Sequence, residues 1–208
     1  MKLYALCVFY KEGDGARQLK SAFELSSFGF FQRGSVQEFM LFAADTLVKR
    51  SARPSRSTVK EQEYMVHCHV RQDGLAAVLV ADADYPSRVA FSLLAKVLSD
   101  FAEAVPSSQW ASTSTGGRGG GSAGAAAGGG AGLEEALRRY QDPRQADSVT
   151  RVQDELDETK VVLHNTIQAV LERGEKLDDL IEKSEGLSTQ SKMFYKQARK
   201  MNKCCSWY

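Results

Sequence analysis

The sequence predicts an α+β protein in two unequal parts: an antiparallel sheet sandwiched by helices, then a Gly-rich linker and a long coiled-coil helix. Three observations predict it. Residues 1–110 alternate between period-2 apolar segments and helical apolar stripes. Residues 111–132 are almost all Gly, Ala, Ser and Thr with one charge. From Val149 to Met201 a seam of residues recurs in alternating steps of three and four and is mostly apolar.

Lys2 to Tyr10 alternates into a strand, Gly13 to Gly15 makes a turn, and a second strand follows around Gln18 to Leu25. Arg33 to Arg50 turns helical, with Val36, Phe39, Met40, Ala43, Leu47 and Val48 on one buried face and Ser35 capping three residues before Glu38. Phe42 falls off that stripe, and an exposed aromatic there calls for a partner. Tyr64–Val70 and Leu75–Ala81 form a hairpin across Asp73-Gly74, and after Tyr85-Pro86 a second amphipathic helix spans Val89 to Phe101. About 100 residues in this order suffice for one small core.

The linker cannot bury enough apolar surface to offset its ordering entropy, so it is expected to act as a tether. Gly119, Gly121 and Gly124 match a phosphate-cradling spacing, but no strand precedes them and no Lys-Ser/Thr follows. Residues 133–203 are expected to be helical. The seam comprises Val149, Val152, Leu156, Thr159, Leu163, Thr166, Val170, Arg173, Leu177, Leu180, Ser184, Leu187, Ser191, Phe194, Ala198 and Met201. Eleven of these are apolar, four are hydroxyl residues and one is charged, so the helix demands partner helices and must satisfy one buried guanidinium at its centre. Four hydroxyl positions argue against a tight homodimer. Alone, the segment should be partly unfolded or folded back on the first domain.

A net charge of +1 gives no global basic field, which speaks against nucleic acid as a partner. No apolar run reaches the length of a spanning helix, and Met1 to Tyr10 has no secretory pattern, so a cytosolic protein with reduced thiols is expected. His67, Cys68 and His69 invite a metal or nucleophile reading. On a strand, however, the two histidines share one face and the thiol takes the other, and His164 has no ligand partner four residues away. No catalytic arrangement and no cofactor or metal site is expected.

Ser26 to Met40 (SSFGFFQRGSVQEFM) and Ala83 to Leu94 (ADYPSRVAFSLL) resemble the longin domain, which has a profilin-like fold, and the segment from Asp147 resembles an R-SNARE motif. The order of the two, with adjacent cysteines at 204 and 205, is similar to the lipid-anchored branch of longin R-SNAREs. That resemblance implies vesicle transport and membrane fusion through a parallel bundle with three Q-SNARE helices (Qa, Qb, Qc), whose glutamines meet Arg173. It also implies disassembly by the SNARE machinery, and cycling between cytoplasm and the cytosolic face of Golgi, endosomal or vacuolar/lysosomal membranes. Masking of the coil is expected at a groove around Phe39 and Phe42. Cys204 is the expected palmitoyl site and Cys205 the prenyl site, although the ending Ser206-Trp207-Tyr208 departs from the usual box. The bases Lys192, Lys196, Arg199, Lys200 and Lys203 suit anionic lipid. Ser184 and Ser191 sit where a large apolar residue would pack better and are phosphorylation candidates. The other functional class is a soluble, unprenylated coiled-coil regulator that binds Q-SNAREs without bridging membranes.

Overall fold

A computed structural model describes residues 1–112, 130–143 and 160–205; for 130, 131 and 198–205 it describes the backbone alone. The elements are β1 (Leu3–Glu12), β2 (Gly15–Phe23), α1 (Arg33–Arg50), β3 (Ser55–Glu61), β4 (Tyr64–Val70), β5 (Leu75–Asp82), α2 (Ser87–Ala104), α3 (Ser107–Trp110), α4 (Gly130–Arg139), β6 (Val161–His164), a 3-10 turn (Ile167–Val170), α5 (Leu177–Lys183) and α6 (Thr189–Cys205).

The six strands form one sheet in the order β2-β1-β5-β4-β3-β6. β5 is central, and seven consecutive small or branched apolar residues suit a strand covered on both faces. Its odd residues, Leu75, Ala77, Leu79 and Ala81, face α2, while Ala76, Val78 and Val80 face α1. β1 alternates likewise from Ala5 to Phe9; the register shift between Leu3 and Ala5 re-aims Leu3 toward the α2 side. Phe91, Leu93, Leu94, Val97 and Leu98 of α2 complete one core. Met40, Ala44, Leu47 and Val48 of α1 complete the other. Each large side chain so buried contributes roughly 1.5–3 kcal/mol.

Local chemistry fixes the joints. Lys11 is 6% exposed, and its Nζ donates to the Val48 and Lys49 carbonyls at 3.0 and 2.5 Å, closing the C-terminus of α1. Burial, then the neighbouring Arg53, hold its pKa below the usual lysine range. In the β4–β5 turn Gly74 has φ +88°, and a Cβ there would lie 2.7 Å from the Lys11 carbonyl, so only glycine fits.

Several expectations change. The two helices and the β4–β5 hairpin stand close to their predicted spans, but the buried stripe of α1 passes through Ala44 rather than Ala43, which leaves Phe39 half-buried. β3 was not predicted, because Ser-Arg-Ser-Thr-Val carries little apolar alternation; Ser57, Thr58 and Val59 are nonetheless buried. The sheet is mixed rather than purely antiparallel, since β6 pairs parallel to β3. The folded unit also extends past residue 110. Leu133, Leu137 and Tyr140 bury against the α2 face, and Gln141 bonds Leu3 N (3.0 Å) and Leu3 O (2.8 Å). The expected single helix over 133–203 is broken among the described residues into α4, β6, the 3-10 turn, α5 and α6. A lone apolar stripe without partner helices gains more by docking piecewise on the domain than by standing in water.

His67 and His69 occupy the α2 side of β4 and Cys68 the α1 side, as strand parity requires. His67 is fully buried, its Nδ1 lies 3.0 Å from Thr58 Oγ1, and Phe91 meets it edge-on at 5.5 Å. Burial pushes its pKa down to about 4 from 6.5. The unfolded chain therefore binds an extra proton between these values. Stability is complete above about pH 6.5 and falls as pH drops toward 4, by roughly 3 kcal/mol at most. Urea unfolding across this range should show that loss in the wild type and a flatter profile in His67→Gln.

Candidate functional site

The seam residues that the structure describes lie against α1 and the β3 edge. Val161 to His164 form an edge strand opposite Arg56 to Val59, with Leu163 64% exposed. Two adjacent β-branched valines favour this extended form. Thr166 then caps the 3-10 turn through Ala169 N at 3.3 Å, Ile167 N donates to Glu61 Oε2 at 3.1 Å, and Ile167 and Val170 pack on the α1-side core. Arg173 is exposed, and Gly174 beside it has φ +94°, a left-handed turn that ends any helix at the centre of the seam.

Two glutamates flanking Arg173 grip a base of the domain. Arg50 on the last turn of α1 donates to Glu172 Oε1 and Glu175 Oε1, both at 2.6 Å. Gln168 ties the loop together, donating to Glu175 O at 2.7 Å and accepting from Leu177 N at 2.8 Å.

Further on, α6 covers α1. Ile181 (3% exposed), Leu187 (4%) and Ser191 (0%) are buried, while Leu177, Leu180, Ser184 and Phe194 are half-buried. Ser188 is the N-cap of α6: its Oγ accepts from Ser191 N at 3.2 Å and donates to Ser191 Oγ at 3.1 Å. Its own N–H donates to Glu38 Oε2 of α1 at 2.7 Å, so a carboxylate from another helix completes the capping box. Phe39 stacks on Tyr195, with centroids 5.4 Å apart and planes at 27°, and the Tyr195 hydroxyl donates to Asp178 Oδ1 at 3.2 Å. Phe42 is half-buried on the same helix. A hydrogen bond from Lys196, with its charge, holds the Glu182 carboxyl below its usual range. The buried thiols of Cys7 and Cys68 are pushed up to about 12, so both stay protonated at neutral pH.

Val149, Val152, Leu156 and Thr159 lie outside the described residues, as do Ser206, Trp207 and Tyr208. Ala198, Met201, Cys204 and Cys205 lie on the α6 backbone, with side chains outside them. Among the described residues no helix is long and apolar enough to cross a membrane.

The Regulated-SNARE-like (longin) family model matches residues 25–117 and the Synaptobrevin model residues 148–208. The protein named Synaptobrevin homolog YKT6 from Eremothecium gossypii is 46% identical over 208 residues, covering 99% of this chain and 98% of the relative. The chain belongs to the YKT6 family of longin R-SNAREs. Relatives of the same name from Debaryomyces hansenii and Saccharomyces cerevisiae are each 44% identical, covering 99% of this chain and 98% of their own length. The function is that of an R-SNARE in vesicle-mediated transport and membrane fusion, exercised by assembly with SNARE partners rather than by catalysis.

Sequence reasoning missed the contacts of Glu38, Arg50, Glu61, Glu172, Glu175 and Tyr195, because each acts between segments distant in sequence or across a turn, and that of Gln168, which closes an irregular loop. Two signals were present nonetheless. Gly174 and Gly186 interrupt the seam, and Ser188 stands where a helix start would place a cap.

Glu172 and Glu175 are off the seam, so changing them leaves bundle layers untouched. Arg50→Glu should raise the rate of limited proteolysis of residues 160–196 a few-fold, in line with partly exposed pairs worth about 0.2–1 kcal/mol each. Arg50→Glu with Glu172→Arg and Glu175→Arg should restore protection; failure of the swap would show that Arg50 acts by packing instead.

Proposed function

We propose that the R-SNARE segment supplies one helix, with Arg173 in its central layer, to a parallel bundle with Qa, Qb and Qc helices, and that the longin domain holds it inactive until they arrive. One observation carries the reading: Leu187 and Ser191 are seam positions and are also buried in the folded-back chain. The same side chains cannot line a bundle while they cover α1. Three glutamine carbonyls suit a guanidinium with five donors, whereas an apolar ring would strand a charge. Arg173 therefore selects partners, and the apolar layers, Val149 through Met201, supply stability. The SNARE disassembly machinery would return the chain to the folded-back form.

Membrane attachment in this reading comes from a palmitoyl group on Cys204 and a prenyl group on Cys205, at Golgi, endosomal or vacuolar/lysosomal surfaces. The second reading is a chain without prenyl that occupies Q-SNAREs from the cytoplasm. Intact mass of the chain from its own cells separates the two. Ser191 is the stronger phosphorylation candidate: it is fully buried and hydrogen-bonded to Ser188, whose N–H binds the Glu38 carboxylate, so a phosphate there must release α6. Ser184, half-buried at the end of α5, is the weaker.

Arg173→Leu should leave the folded-back form intact, since Arg173 is exposed in it, yet broaden the set of helices recovered in a pull-down with Q-SNARE segments. An identical partner set for variant and wild type would remove Arg173 from the selector role. Ser184→Asp with Ser191→Asp should speed proteolysis of residues 180–196 and slow fusion in a reconstituted assay.

A further inference from the structure

We propose that Phe30 and Phe31 form a preorganised aromatic tip that inserts into an anionic lipid surface, a contact separate from the seam and from any lipid on Cys204 or Cys205. These are the most exposed large apolar side chains among the described residues, at 77% and 88%. Their rings meet edge-on at 5.5 Å. The turn that carries them is rigid: Phe28 N donates to Leu25 O (3.1 Å) and Gln32 N to Gly29 O (2.8 Å). Arg33 staples it from the first turn of α1, donating from Nε to Phe28 O at 3.1 Å and from Nη2 to Ser26 O at 3.3 Å. Phe28 anchors the base against Tyr4 and the core. Insertion of the tip thus orders almost nothing that is not already ordered.

Size and charge decide the occupant. Two phenylalanines bury at most about 500 Å², short of the about 800 Å² that each partner contributes to a standard protein interface. An acyl and headgroup boundary has no such threshold and accepts a convex aromatic tip. Between Glu24 and Glu38 the only charged residue is Arg33. The α1 helix that follows carries α6 through the Phe39–Tyr195 stack, eight residues beyond Phe31. From Thr189 to Cys205, α6 contains five bases and no acid. In the folded-back chain Lys192 and Lys196 engage Glu182, and Arg199, Lys200 and Lys203 follow them in sequence. An exposed aromatic tip on a chain that also carries a helix of five bases and no acid matches an anionic bilayer. Since one lipid chain gives only marginal attachment, the tip supplies a second signal.

The test is co-sedimentation of the full, unlipidated chain with phosphatidylcholine vesicles, with and without phosphatidylserine. Wild type should bind the phosphatidylserine vesicles, and Phe30→Ser with Phe31→Ser should bind about tenfold more weakly with an unchanged melting curve. Phe31→Trp, which a folding defect cannot mimic, should bind as tightly as wild type or tighter, with a blue-shifted emission. Equal partitioning of wild type and the double variant would assign binding to the α6 bases and overturn the proposal, as would no binding by wild type or weaker binding by Phe31→Trp. A wild-type dimer in sedimentation that becomes a monomer in the double variant, with vesicle binding unchanged, would make the tip a self-association surface instead. None of these readouts involves Q-SNARE helices, so they stand or fall independently of the bundle reading.

Discussion

An apolar stripe repeating every 3.5 residues has to be covered, and the arrangement of this chain after residue 160 follows from that constraint. Docking on the domain is the solution open to an isolated chain. It uses only part of the stripe, because α1 is a single helix and offers one groove per side. Leu187 is nearly fully buried, Phe194 and Leu180 are half-buried, and Leu163 remains in water. A four-helix bundle covers every layer on all sides. The folded-back form therefore covers this surface less completely than partner helices on all sides would.

Much of the domain was legible in the sequence. The β5 run, the stripes of α1 and α2 and the turn at Asp73-Gly74 each carry a local signal that agrees with the tertiary outcome. β3 escaped because its burial comes from its neighbours β4 and β6 rather than from its own alternation. The seam was legible as a pattern but not as a conformation. Its period describes the bundle, whereas Val161-Val162, Gly174 and Gly186 describe the folded-back chain, and a single sequence holds both sets of instructions. α4 was legible only as helix. That Leu133, Leu137 and Gln141 return to the sheet across residues 113–129 depends on pockets beside Leu3 and α2 that no local pattern encodes.

The electrostatics divide along the same line. Arg173 stays in water in the folded-back chain, while its neighbours Glu172 and Glu175 take Arg50. Burying a guanidinium without partners costs several kcal/mol, whereas partly exposed ion pairs contribute under about 1 kcal/mol each. Keeping Arg173 solvated is thus the dominant charge term, and the Arg50 contacts locate the loop more than they stabilise it.

Hydrogen bonding does not decide between the two forms. Among the backbone N–H groups of the folded-back segment that rely on side-chain acceptors are Ile167 on Glu61, Leu177 on Gln168 and Ser188 on Glu38. In a continuous helix each would turn to the carbonyl four residues earlier, at Leu163, Arg173 and Ser184 respectively. The exchange is one bond for one bond, and Gly174 adds only about 1 kcal/mol against the helix. Apolar burial is left as the term that sets the direction. Helices packed along the whole seam from Leu163 to Phe194 would supply it, and α1 alone cannot.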